Sequence, residues 1–273
     1  LRGRYHWNTF TEEGFAKAVV CYHQAIAVDP HYAAAYAGIA EYYNWLGIFG
    51  VLPHSDCSAA AYEAAATAVS IDPVMAEVHG ALGQAILCRD FDWERAEQQL
   101  LRSIELNPNY SAARVWYAFQ LAMEGRFAEC LREARIAREL DPLAILSGLC
   151  MGFCTYQSRS FADALAFCES TLKGEPHNAL LFFCSSFDLS QLGRHQEAIA
   201  RATQGVGMIG KASHTLGRLG CAFAAAGDPA VVDLVPGARL RLDGIAEQQR
   251  HSEPLSAVAG CDRSSAGDPL HQH

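Results

Sequence analysis

The chain has 273 residues, 51% of them hydrophobic, with 30 acidic residues against 21 Lys and Arg and a formal net charge of −9. Only three of the basic residues are Lys (Lys17, Lys173, Lys211), and counterion release on nucleic acid needs clustered cations facing phosphates. This balance argues against direct nucleic-acid binding and against docking on an anionic membrane surface, and apolar stretches such as Ala179–Cys184 fall far short of the roughly 18 residues of a spanning helix.

The opening LRGRYHWN has no apolar segment of the kind a signal peptide needs. It also lacks an initiator Met, as expected of a fragment or a processed chain. The ten cysteines are scattered through an Ala-rich, helix-favouring sequence, which points to reduced thiols and a cytoplasmic location.

Along the chain an acidic or amide residue followed by Pro recurs at Asp29-Pro30, Asp72-Pro73, Asn107-Pro108, Asp141-Pro142 and Glu175-Pro176, with Pro-to-Pro spacings of 43, 35, 34 and 34. Pro ends the preceding helix because it lacks an amide donor and clashes with the turn before it. It also suits the first position of the next helix, with the preceding Asp or Asn as its N-cap. A second punctuation falls about midway through most units, at Gly47, Gly125, Arg159, Gly193 and Gly227, where glycine fits the left-handed turn that closes a helix. Each unit therefore reads as two antiparallel helices.

Small residues recur at matched offsets. In the first helices they are Ala40, Gly83, Ala118, Gly152, Ser186 and Gly220; in the second, Ala18, Ala61, Ala96, Cys130, Ala164 and Ala198. A third series follows seven residues later, at Ala25, Ala68, Ser103, Ala137, Thr171 and Gly205. Small side chains at paired positions let two helix backbones approach, while neighbours such as Tyr36, Leu82, Leu121 and Phe182 fill the remaining space.

The period of 34, these small positions and the closing Pro resemble the tetratricopeptide repeat over about residues 1–227. The opening unit, GVLPHSDCSAAAYEAA and FDWERAEQQLLRSIELNPNYSAARVWYA are similar to the repeat region of bacterial multidomain regulators. In that group the partner domain is often a winged-helix DNA-binding domain, an adenylate cyclase or a Ser/Thr kinase. The resemblance implies an all-α, right-handed solenoid of antiparallel helix pairs, serving as the interaction or sensory half of a signalling or transcription protein. A free-standing scaffold or assembly factor is the rival reading. An enzyme with an unrecognised site is a third.

Three departures stand out. The first unit lacks most of its first helix. The second carries nine extra residues, so that Gly47–Pro53 reads as a longer inter-helix loop. Units end near residues 30, 73, 108, 142, 176 and 210, and a partial unit follows from Ser213 to Ala226. Residues 228–273 hold four of the ten prolines and read as a weakly ordered tail, with a short helix near Gly244–Arg250 or a shifted reading frame.

Chemical motifs are few. Gly205-Val206-Gly207-Met208-Ile209-Gly210-Lys211 matches two phosphate-loop patterns, yet it follows a repeat helix rather than a strand, and Ala212 stands where a magnesium-binding hydroxyl belongs. Cys150 and Cys154 share a helix face but have no second pair to complete a zinc site, and His271 and His273 lie at the extreme end. No catalytic residue, cofactor or metal site is expected.

The remaining candidate is the groove lined by first helices, whose outward positions include Asn44, Trp45, Gln84, Phe119, Met123, Phe153, Tyr156, Phe187 and Gln191. Half-exposed aromatics there suit a protein or peptide partner; packing between neighbouring units is the competing reading. The absence of Lys on this face argues against a clamp for C-terminal carboxylates. The oligomeric state is left open.

Overall fold

A computed structural model describes residues 1–9, 12–48, 52–174, 176, 178–209 and 213–228. Helices stop before each of the five prolines and restart after it. In chain order they are α1 (Arg2–Trp7), α2 (Glu12–Val28), α3 (Ala33–Ile48), α4 (His54–Ile71), α5 (Ala76–Arg89), α6 (Trp93–Leu106), α7 (Ser111–Met123), α8 (Phe127–Leu140), α9 (Ile145–Gln157), α10 (Phe161–Gly174), α11 (Ala179–Gln191), α12 (His195–Ile209) and α13 (Ser213–Ala225). No strand occurs among the described residues. The stretch from Pro229 onward, including the expected helix near Gly244–Arg250, lies outside the described residues.

The prolines act differently from the expected N-cap arrangement. Asp72, Asn107 and Asp141 are C-caps of the preceding helices, and the next helices begin three residues after each Pro. The Asp72 carboxylate accepts the Val74 amide at 3.1 Å, Asn107 accepts Asn109 at 3.1 Å, and Asp29 accepts His31 at 2.9 Å. The carbonyls of the same residues accept the amides of Met75, Tyr110 and Tyr32, three positions on. Each Asp/Asn-Pro therefore opens a hydrogen-bonded turn with Pro at its second position, where the fixed φ of the ring is already correct. A side chain that bonds its own backbone two residues on stabilises this turn rather than the next helix.

Turns within units close as left-handed caps. Gly125 (φ 79°), Gly193 (φ 75°) and Gly227 (φ 67°) occupy them, as do Arg159 (φ 60°) and Phe91 (φ 52°). The amide after each glycine reaches back five residues, Arg126 to Leu121 and Arg194 to Leu189, both at 2.8 Å, which satisfies carbonyls the helix leaves open. Gly47 is not one of these caps. It lies inside α3, where an added Cβ would sit 3.1 Å from the Cβ of Cys57. The extra residues of this unit lengthen the helices instead, to 16 residues in α3 and 18 in α4, against 13 and 14 in α7 and α8.

The small-residue series marks the close approaches. Ala18, Ala61, Ala96, Cys130, Ala164 and Ala198 are fully buried, and so are Ala40 and Ala118 in the facing helices. Large side chains such as Ile86, Leu100, Leu121, Phe183 and Leu189 fill the gaps, each worth roughly 1.5–3 kcal/mol on burial.

Second helices pack on the first helix of their own unit and on that of the next, as α4 does on α3 and α5. The first helices also pack on one another, α3 on α5, α5 on α7, α7 on α9, α9 on α11 and α11 on α13. A stack whose first helices form the continuous layer must curve toward that layer, which makes it the inner, concave wall.

Candidate functional site

On the inner wall the positions eleven residues after each Pro are Glu41, Gln84, Phe119, Phe153 and Phe187. Two aromatic groups form there. Trp45 meets Trp116 edge-on with ring centres 5.9 Å apart, Trp116 meets Phe119 at 5.4 Å, and Phe119 meets Phe153 at 5.2 Å. Further along, Tyr156 lies 6.4 Å from Phe187 and 5.3 Å from Phe161. Phe119, Phe153, Tyr156 and Phe187 are half-buried, and Met123 and Gln191 are exposed.

Asn44, Trp45 and Gln84 depart from the half-exposed placement expected of them. All three are buried, at 2%, 7% and 0% exposure. Tight packing of α3 on α5 covers the two amides, and neither amide makes a hydrogen bond. Trp45 reaches Trp116 past α5 because that helix carries Ala81 and Ala85 where α7 carries Trp116 and Gln120. The aromatics therefore form one run, buried at Trp45 and Trp116 and half-buried at Phe119 and Phe153, and one separate group around Tyr156, rather than a single row from successive helices.

The N-terminal half of the wall encloses a cavity of about 1160 Å³. Trp7, Trp45, Trp116, Tyr22 and Ser147 line it, and Glu77 and Asp141 are among its acidic groups. At its floor Arg4 Nη1 lies 2.5 Å from Glu41 Oε2, and the Tyr110 hydroxyl donates to Glu41 Oε1 at 3.2 Å. The Glu41 charge holds the Arg4 guanidinium protonated far beyond its ordinary range. Burial pushes the Tyr22 phenol up to about 12 and raises Tyr110 as well. Apart from Trp45, these lining residues escape a reading of the repeats: Arg4 and Trp7 come from α1, Tyr110 and Asp141 from inter-unit turns, and Tyr22, Glu77, Trp116 and Ser147 from four different helices. Glu41 alone carried a signal, by sharing the repeat position of Phe119 and Phe153.

The C-terminal half presents a different surface. Arg218 on α13 lies over the rings of Phe183 and Phe187, 5.5 and 5.7 Å from their centres. The Arg159 amide donates to the Tyr156 carbonyl at 2.8 Å, and burial raises the Tyr156 hydroxyl pKa. Beneath them Asp188 is 1% exposed, and burial pushes its carboxyl up to about 7.

The remaining motifs are packing elements. Gly205–Ile209 continue helix α12, and an added Cβ at Gly205 would lie 2.8 Å from Phe183 Cζ; Gly210 and Lys211 lie outside the described residues. The Cys150 and Cys154 sulfurs are 3.8 Å apart and approach the carbonyls of Val115 and Ala118 on α7. No group of three or more His, Cys, Asp or Glu able to hold a metal occurs among the described residues. His271 and His273 lie outside them.

No protein-family model matches the chain. Among solved structures, a tetratricopeptide repeat protein from Parabacteroides merdae superposes with a TM-score of 0.56 over 89% of this chain and 90% of its own, at 11% identity. The fold is a tetratricopeptide-repeat solenoid. The Cut9–Hcn1 hetero-tetramer of the APC/C contains another, with a TM-score of 0.65 over 81% of this chain and 42% of that one, at 18% identity. In sequence, the chain is 24% identical over 201 residues to the transcriptional regulator HilA of Salmonella typhimurium, covering 72% of this chain. HilA of Salmonella typhi matches equally. The chain spans about a third (36%) of the length of these curated relatives.

Proposed function

We propose that this chain is a protein–protein interaction module that holds a protein or peptide segment on its inner wall, and that it forms the regulatory or sensory half of a bacterial signalling or transcription protein. The half-buried aromatics Phe119, Phe153, Tyr156 and Phe187 carry the reading. Large rings with accessible edges on a concave wall suit anchor residues of a partner. They act by shape and apolar complementarity, without a catalytic step or a cofactor. The similarity to HilA supports the regulatory assignment. No helix among the described residues is long and apolar enough to cross a membrane, in keeping with a cytoplasmic place for a chain with so many free thiols.

The test is the double variant Phe119→Ala with Tyr156→Ala. It is expected to weaken partner capture while leaving the helical circular-dichroism signal and melting profile close to wild type. Loss of the fold along with binding would make these side chains core. Unchanged capture by a folded variant would move the binding surface elsewhere. A free-standing scaffold is separated from a regulator by the reading frame upstream, where a DNA-binding, cyclase or kinase domain marks the regulator.

A further inference from the structure

Arginines along the solenoid are mostly neutralised within the chain. Arg114 pairs with Glu133 at 2.6 Å, Arg126 with Glu97 at 2.8 Å, and Arg201 with Glu169 at 3.5 Å. Among the described residues Arg2, Arg135, Arg138, Arg159 and Arg218 make no ion pair, and the last two lie toward the C-terminal end of the solenoid. Arg218 has no ion pair among the described residues, and its guanidinium lies over the rings of Phe183 and Phe187. Arg159, held in the left-handed turn after α9, is exposed and also has no ion pair among the described residues; its amide donates to the Tyr156 carbonyl at 2.8 Å. Tyr156 and Phe187, with ring centres 6.4 Å apart, link the two. In a chain of net charge −9, this is a local cationic spot on an aromatic floor.

We propose, building on the assignment of the inner wall as the partner-binding face, that this end of the wall recognises an acidic peptide segment, with Arg218 receiving an Asp or Glu side chain and Tyr156 and Phe187 receiving the apolar residue beside it. Three observations converge on that partner. A guanidinium whose face rests on aromatic rings keeps its N–H edge free, and that edge matches the two oxygens of a carboxylate. Phe183 is buried at 1% exposure, so the floor beneath Arg218 is rigid and little side-chain freedom is lost on binding. Asp188, on the same helix as Phe183 and Phe187, is buried at 1% exposure, accepts from the Cys168 thiol and forms no ion pair with Arg218, so it leaves the charge of Arg218 uncompensated at the surface. A nucleic-acid partner fits less well, because two isolated arginines do not form the run of cations that tracks a phosphate backbone.

The experiment is selection of a random dodecapeptide library on the full chain, followed by anisotropy titration of the enriched peptides after fluorescein labelling. Enrichment of Asp or Glu next to an apolar residue is expected. Arg218→Gln is expected to weaken those peptides roughly ten-fold or more, the strength of a charge-assisted hydrogen bond, with Arg218→Lys in between. Arg159→Gln, a change at an exposed turn residue, serves as a second variant that leaves the α11–α13 packing intact and is expected to weaken them several-fold. Enriched peptides without acidic residues, or acidic peptides bound equally by the wild type and both Gln variants, overturn the proposal. If the enriched peptides are also insensitive to Tyr156→Ala and Phe187→Ala, or if none is enriched, the inner wall itself is the wrong surface. Arg218-dependent binding of a labelled octa-adenylate RNA in place of acidic peptides would overturn the choice of partner.

Discussion

Arg4 on α1 and Glu41 on α3 form an ion pair across the inner wall, with Nη1 2.5 Å from Oε2 and the carboxylate 8% exposed. Tyr110, 69 residues further along, donates to the other oxygen. A six-residue helix such as α1 is too short to persist by its own backbone hydrogen bonds. Its place is set by this pair and by the burial of Trp7.

Arg4→Ala should therefore destabilise the chain by about 2 kcal/mol, less than for a fully buried pair because Arg4 is 36% exposed. Most of that loss comes from leaving Glu41 buried with a phenol as its remaining partner. Combining Arg4→Ala with Glu41→Gln should recover part of it. Urea titrations of the two variants check this, and additive losses would show that the pair is not coupled.

Asp188 gives a pH dependence of known sign. Its folded pKa of about 7 lies above the ordinary 3.8, because burial disfavours the charge. Between those values the unfolded chain has released a proton that the folded chain still holds, so stability falls as pH rises through that window and levels off above it. At about 1.4 kcal/mol per unit the contribution is roughly 4 kcal/mol. Asp188→Asn should flatten the decline, most visibly as slower amide exchange in α11 and α12 at pH 8. An unchanged pH profile would mean that Asp188 ionises freely.

Gly205 and Gly207, two of the three glycines of the phosphate-loop match, should respond in opposite directions. Gly205→Ala drives a Cβ to within 2.8 Å of the buried Phe183 ring, and overpacking of this kind costs about 1–3 kcal/mol. Gly207 lies in the same helix with nothing within 4 Å of an added Cβ, so Gly207→Ala should stabilise by about 0.5–1 kcal/mol. Thermal melts separate the two. Calorimetric titration with ATP should be flat for the wild type and both variants; saturable binding lost in either would restore the nucleotide reading.

Phe91 holds the left-handed position that glycine holds in three other units, at φ 52° and 61% exposure. A bulky side chain there is strained by about 1–3 kcal/mol, against which glycine's extra unfolded-state freedom counts 0.5–1. Phe91→Gly is accordingly expected to raise the stability by about 1 kcal/mol, and Gly125→Ala to lower it by a similar amount. A loss of stability in Phe91→Gly would show that the exposed ring packs favourably enough to outweigh the strain.

Much of this architecture is local and so was legible in the residues. Pro cannot continue a helix and small residues are required wherever two helices touch, so Pro30 to Pro176 and the Ala18 to Ala198 series fix the units without any long-range information. Locality also explains the misreadings. Asp-Pro serves equally as an N-cap pair or as the opening of a turn, and only the bond that the Val74 amide donates to the Asp72 carboxylate decides between them. Gly47 looked like a cap by its spacing, yet the inserted residues were absorbed by longer helices.

The binding face belonged to tertiary structure. Whether Trp45, Gln84 and Phe119 are open or covered depends on how far each unit rotates against the next, and that rotation sums over packing contacts that no single repeat encodes. The same summation brings Arg4, Glu41 and Tyr110 together from three units and sets Arg218 over Phe187 from a neighbouring one. The repeat period dictates the helices and their pairing; superhelical curvature alone selects which side chains share a wall.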